Sequence, residues 1–205
     1  MPEPERKLNA QTTALLLMEL QNDVFHENGA FASSGAPAHA VRQNLVENVK
    51  RLAAAMRAAG AVLIHVHYVV EPGARGLKLN APLFQAVADT NSLVRNTWGA
   101  APLEGLEPQP GEFIVEKMRM NAFCGTRLET LLEGCGVQTI VLCGGWTNFS
   151  VEHTARHAAD AGYEVIVATD GTATIDEEWQ NAALNFALQN IAARLSCEEI
   201  IQALS

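Results

Sequence analysis

The sequence predicts an α/β fold: a single domain built on a doubly wound, mostly parallel sheet with helices on both faces. Three observations predict it. Short apolar runs such as Ala14–Met18, Thr139–Leu142 and Val165–Ala168 lack the alternation of a half-exposed strand, as expected of strands buried on both faces. The segments between several of them carry apolar residues at three- and four-residue spacing, the mark of amphipathic helices. Strand and helix patterns alternate along the chain, which is the order that parallel strands with crossover helices require.

Length and charge bound the rest. At 205 residues the chain has room for one substantial core, read here as residues 13–205 behind a flexible N-terminal arm, 1–12. The 23 acidic against 14 basic side chains, a net charge of -9, argue against a nucleic-acid or anionic-membrane partner, either of which needs a cationic surface. No run approaches the roughly 20 apolar residues of a membrane span. Met1–Thr13 is polar and lacks the apolar centre of a signal peptide, so a cytoplasmic location is expected. The four cysteines, 124, 135, 143 and 197, show no CxxC spacing and read as reduced thiols.

Taken in order, the first strand, 14–18, ends in Glu19-Leu20-Gln21-Asn22-Asp23, polar residues at the position where α/β proteins handle ligands. Residues 25–40, rich in Gly, Ala, Ser, Pro and His, read as a loop. From about Ala38 the positions Val41, Leu45, Val46, Val49, Leu52, Ala53 and Met56 mark one face of a helix that Gly60 stops. A second strand covers 61–70. It carries His65 and His67 on one face, a pair that could hold a metal but has no third ligand at convincing spacing, so hydrogen-bonded structural histidines are expected. Residues 71–111 are punctuated by Gly and Pro and read as loops forming a lid or pocket wall.

Phe113-Ile114-Val115 is the third strand and delivers Glu116 and Lys117 at its end. A helix over about 126–132 follows, and then the stretch with the most chemical content, Cys143-Gly144-Gly145-Trp146-Thr147-Asn148-Phe149-Ser150. It reads as strand, tight turn and helix, with Thr147 and Asn148 available as caps and Ser150 in the first helical turn. That helix runs to about Ala161. A fifth strand, 165–168, a helix over about 176–191, a short edge strand at 193–196 and a final helix, 198–204, complete the chain.

All strands of a parallel sheet end at one edge, so Glu19, Lys117 and Ser150 can converge there. A carboxylate to move a proton, an ammonium to stabilise negative charge and a hydroxyl at a helix N-terminus together suit hydrolysis. The same residues suit equally well a structural salt bridge beside a capped helix.

The motifs Leu17–Asp23, Val115-Glu116-Lys117 with Ala122-Phe123-Cys124-Gly125-Thr126, and Gly144–Arg156 make the chain similar to the isochorismatase-like superfamily, also called cysteine hydrolases. The resemblance spans about residues 12–196 and implies a Rossmann-like hydrolase domain. Its members use an Asp, a Lys and, in the amidase branch, a Cys. The matching positions here are Glu19, Lys117 and Ser150, so two of the three differ. The resemblance also implies a cis peptide at Gly145-Trp146 and places the Phe123-Cys124 turn beside the pocket. Candidate substrate contacts are therefore Gln21, Phe123, Cys124, Trp146 and Thr147. Cys124 is expected to be a small buried residue rather than a displaced nucleophile, and His153 and His157 to be structural.

Serine is a far weaker nucleophile than a thiolate, and no triad histidine is evident to activate it. The expected activity is hydrolysis of a small molecule by carboxylic acid/base catalysis from Glu19, without a cysteine nucleophile. The alternatives are an amidohydrolase using Ser150 and a catalytically silent small-molecule-binding relative. No cofactor or metal is required, and the resemblance implies a homodimer or homotetramer.

Overall fold

The computed structural model describes residues 7–204. Six strands form one sheet: β1 Thr13–Met18, β2 Val62–Tyr68, β3 Phe113–Lys117, β4 Thr139–Gly145, β5 Glu164–Ala173 and β6 Ala193–Leu195. Their order is β3-β2-β1-β4-β5-β6 and every pairing is parallel. The chain first builds outward from β1 to β3 and then restarts on the other side at β4. That reversal opens a crevice above the carboxyl ends of β1 and β4, where ligands of open parallel sheets bind.

The helices are α1 Asn22–Phe25, α2 Ala36–Arg42, α3 Leu45–Ala58, α4 Pro82–Asp89, α5 Leu128–Gly134, α6 Glu152–Asp160, α7 Glu177–Ala182 and α8 Cys197–Ala203. Because side chains alternate across a strand, β1 feeds two cores. Leu15 and Leu17 pack with Val49, Leu52 and Met56 of α3 and Ile200 of α8. Ala14, Leu16 and Met18 pack with Leu128 and Leu132 of α5 and Ala155 and Ala158 of α6. All of these are essentially inaccessible to solvent, and truncating one large member such as Leu16 to Ala costs about 2–5 kcal/mol.

Four expectations are corrected. The helix expected from Ala38 to Gly60 is two helices, because Asn44 adopts a left-handed conformation (φ 54°) between α2 and α3. Val41 consequently points away from the core and is 79% exposed. The stretch 71–111 is not loop alone, since Pro82 starts α4, whose Phe84 and Val87 are buried. Strand β5 continues through Thr169-Asp170-Gly171, with an irregular register opposite β4 that restores pairing at Gly144–Thr172 and Gly145–Ala173. Finally, the helix expected over 176–191 ends early, α7 passing into a wider π turn at Ala183–Ala187.

Of the arm expected over 1–12, residues 1–6 lie outside the described residues. Leu8 is buried, and its N–H donates to Ala203 O at 2.7 Å beside the last helix. Among the described residues all four cysteines are free thiols, and no helix is long and apolar enough to cross a membrane.

Candidate active site

Glu19 leaves β1 with a left-handed backbone (φ 49°), which a non-glycine residue adopts only at a cost that its surroundings must offset. Its N–H donates to Val66 O of β2 at 2.8 Å, and this fixes the turn that lifts the side chain over the sheet edge. The next residues build the frame. The Gln21 amide bonds both backbone groups of Tyr68, at 2.8 and 3.0 Å, and Ala100 O at 2.8 Å. Asn22 donates to Trp98 O at 2.8 Å. The Asp23 carboxylate accepts from Ala30 N at 3.0 Å and Leu93 N at 2.6 Å. These bonds hold the segments around residues 30 and 93–101 against the crevice.

Strand β4 approaches β1 so closely that a Cβ on Gly144 (φ 99°) would lie 2.0 Å from Met18 O, and one on Gly145 would lie 2.2 Å from the Phe25 ring. Only glycines let the strand end here. The Gly145–Trp146 peptide bond is cis, at the position the resemblance implies. The chain then enters a π turn, Thr147–Val151, that runs directly into α6 and carries Ser150 fully buried. Thr147 and Asn148 do not cap it: the Thr147 hydroxyl donates to Gln180 at 2.6 Å, and the Asn148 side chain accepts from Thr174 at 2.5 Å.

Lys117, at the end of β3, passes its ammonium over the Tyr68 ring, 5.0 Å from the centroid, and its side chain is entirely inaccessible. It donates to Arg119 O at 2.7 Å, to the Ser150 hydroxyl at 3.1 Å and to the Glu19 carboxylate. Three acceptors meet the three ammonium hydrogens. Burial drags the Lys117 pKa below the ordinary lysine value, and the Glu19 charge pulls it part of the way back. Ser150 in turn donates its hydroxyl to Glu19, with Met120 Sδ 3.6 Å away. Burial and the Glu19 charge together push the Tyr68 phenol upward, and its hydroxyl donates to Met118 O at 2.9 Å.

Above this trio is a recess holding about 390 Å³ of space free of protein atoms, its open mouth included. Glu19 and Ser150 face it, and apolar side chains such as Phe31, Leu83, Val87, Leu93, Trp146 and Phe149 wall it. Lys117 stands behind. Two of the residues touching the recess, Glu19 and Leu93, are non-glycine residues with positive φ (49° and 56°), which concentrates backbone strain at the site.

The structure thus brings Glu19, Lys117, Ser150 and Trp146 together. Gln21 and Thr147 lie buried beneath, committed to framework bonds. Phe123 stacks on His157 with centroids 4.4 Å apart. Cys124 was expected to be buried and is exposed, because its turn ends at the surface on a neighbouring groove with Arg95, Lys78 and Arg119. His65 bonds Glu112 at 2.8 Å, and His153 and His157 bond Phe149 O and Asn121, so each of these histidines has a structural partner. Sequence reasoning missed Leu83, Val87 and Leu93 as pocket residues; the signal for the first two was Pro82 opening a helical Leu83-Phe84-Val87 pattern.

Comparison with known proteins agrees with this fold. The isochorismatase domain model matches residues 13–199. The isochorismatase family protein YecD of Escherichia coli is 35% identical over 97% of this chain and 99% of its own. A ureidoacrylate amidohydrolase RutB of Methylorubrum extorquens is 31% identical over 83% of this chain and 73% of its own. The crystal structure of a cysteine hydrolase from Pseudomonas syringae superposes with a TM-score of 0.85 over 99% of this chain and 98% of that one, at 24% identity.

Proposed function

This chain belongs to the isochorismatase family of hydrolases, and from that premise we propose that it hydrolyses a small molecule held in the recess above Glu19. Glu19 is the general acid and base, Lys117 holds its charge in place, and Ser150 orders the attacking water or the substrate. One observation carries this reading. The carboxylate and the hydroxyl face the recess, while the ammonium that bonds both stands fully buried behind them. A buried cation at that position stabilises negative charge in a water-poor site.

A second reading has its own support. The Ser150 hydroxyl already donates to a carboxylate and accepts from an ammonium, in the turn that opens α6, where the partial positive charge of a helix start favours an anion. That is the arrangement of an activated nucleophile, with base and orienting group supplied by Glu19 and Lys117. On this reading Glu19 takes the part of the triad histidine that the sequence lacks. The amidohydrolase name of the RutB relative makes C–N bonds the natural substrates for this reading.

Parallel turnover of vinyl ethers and small amides, read as pyruvate and ammonia, tests both. Under the first reading Glu19→Gln lowers kcat by about 10²- to 10⁴-fold, and Ser150→Ala keeps measurable activity. Under the second, Ser150→Ala abolishes turnover and mass spectrometry traps an acyl adduct on wild-type Ser150. Full activity in both variants refutes both assignments.

A further inference from the structure

Helix α4, which walls the recess with Leu83 and Val87, belongs to a segment joined to the rest of the chain by few polar ties. Residues 72–92 leave and return through a narrow neck. There Val70 and Val94 form a bridge, Val70 N donates to Leu93 O and Arg95 N to Val70 O, both at 2.9 Å, and the Arg95 side chain donates to Glu71 at 2.7 Å. The Asp23 carboxylate pins this neck beside the site by accepting from Leu93 N. Left-handed residues adjoin it on both sides: Gly73 and Ala74 (φ 70° and 54°) where the segment leaves, Asn91 and Leu93 (φ 48° and 56°) where it returns. A few such positions next to a fixed base are what a hinge needs.

Beyond the neck, apolar packing and one residue hold the segment. Leu77, Phe84 and Val87 are buried. Among the described residues, every hydrogen bond between 72–92 and the rest of the chain comes from the Arg119 side chain, which donates to Lys78 O and to Asn80 Oδ1, both at 3.0 Å. Its guanidinium also lies over the Phe84 ring, 3.5 Å from the centroid. A flat fork reaches two acceptors and an aromatic face at once, which the point charge of a lysine does not. The segment stands between the recess, which Leu83 and Val87 face, and the groove, which Gly76, Lys78 and Asn80 line.

The main chain of the same residue reaches the reacting groups. Arg119 O accepts from Lys117 at 2.7 Å, and Lys117 in turn bonds Ser150 and Glu19. We infer that residues 72–92 are a lid on the recess and that Arg119 is its latch, a positioning residue whose side chain seats the lid while its carbonyl helps to hold the Lys117 ammonium. The inference rests on the hydrolase reading for what the lid covers, but the seating of the lid is measured without turnover.

The test is hydrogen exchange, read by mass spectrometry on peptides from 72–92 and, as a control, from β1 and β4, in the wild type, Arg119→Met, Arg119→Lys and Asn80→Ala. Arg119→Met is expected to speed exchange across α4 about tenfold and to leave the control strands alone. Asn80→Ala, at an exposed position, removes one acceptor and is expected to give about threefold. Arg119→Lys is expected to fall between the wild type and Arg119→Met. With an amide or vinyl ether that the turnover assay shows to be a substrate, Arg119→Met is expected to raise KM about tenfold and to lower kcat by less, because a loosened lid weakens binding first.

Unchanged exchange in 72–92 for both Arg119→Met and Asn80→Ala overturns the inference. So does a fall in kcat at constant KM, which would mean that Arg119 acts through its carbonyl alone. If Arg119→Met speeds exchange in the control strands as well, the variant is unfolding globally and Asn80→Ala decides. If the wild type turns over no member of the panel, the hydrolase reading loses those substrates, and the exchange data still decide the latch.

Discussion

Glu19 carries one methylene more than the Asp the resemblance leads one to expect, and it leaves β1 with a left-handed backbone. The carboxylate meets both Ser150 and Lys117, so the longer side chain has not detached from the site. Lys117 answers for the charge of this buried group. Replacing it with Met removes the cation and strands a carboxylate that is 8% exposed, which costs about 3–5 kcal/mol in denaturant unfolding. A loss below about 1 kcal/mol would mean that the pair is not ionised. The convergence of Glu19, Lys117 and Ser150 was legible in the sequence because each follows a recognisable strand and strand ends share one edge. Gln21 and Thr147 were legible as important and not as framework, since an amide that bonds a neighbouring strand and one that bonds a substrate look alike until partners are known.

Among the elements, the recess depends on segments far from the sheet. Asp23 holds Leu93 and Ala30 by their backbone N–H groups, and Gly99 sits so close that a Cβ there would lie 2.1 Å from the carboxylate. Asp23→Asn turns an amide donor toward one of two N–H groups that need acceptors. The expected cost is about 1.5–3 kcal/mol, with new proteolytic cleavage between residues 91 and 101. Unchanged cleavage and stability would show that the loop is held by other means. The strands were readable because β1, β4 and the first half of β5 are uninterrupted apolar runs. The second half of β5 was not, because Thr169-Asp170-Gly171 has the composition of a turn and becomes strand only through the pairing that resumes at Gly144 and Gly145. The break at Asn44 was hidden for a related reason: apolar spacing continues through it, and one left-handed residue leaves no mark on periodicity.

Across the whole molecule, the buried His39 and His65 and the partly buried His67 are expected to set an acid limit to stability. Burial, assisted by the charge of His65 and opposed by Glu116, lowers His67 to about 4, while an unfolded histidine titrates near its ordinary 6.5. Between these values the unfolded chain binds more protons, so stability falls as pH drops from 6.5 and this contribution is gone below 4. The His67 share is about 3 kcal/mol, and burial also lowers His39 and His65. Glu112 acts at lower pH. Burial raises its pKa, but bonds from Arg57, Gln109 N and His65 outweigh that and bring it to about 2, so its contribution is lost between 4.5 and 2. Denaturant unfolding at several pH values should show His67→Gln flattening the slope from pH 6.5 to 4 and leaving that below pH 4 unchanged; an unaltered slope would place the acid sensitivity elsewhere. The fold class followed from patterning alone, whereas this behaviour depends on which histidines are enclosed, and composition does not report enclosure.

In the proposed function the Glu19 carboxylate above the β1–β4 crevice performs the chemistry. Its most direct test is turnover of the amide and vinyl-ether panel by wild type and by Glu19→Gln, with circular dichroism confirming that the variant is folded. Hydrolysis by the wild type is expected to fall by about two to four orders of magnitude in the folded variant. Hydrolysis that persists within a few-fold would contradict it and move the catalytic centre elsewhere.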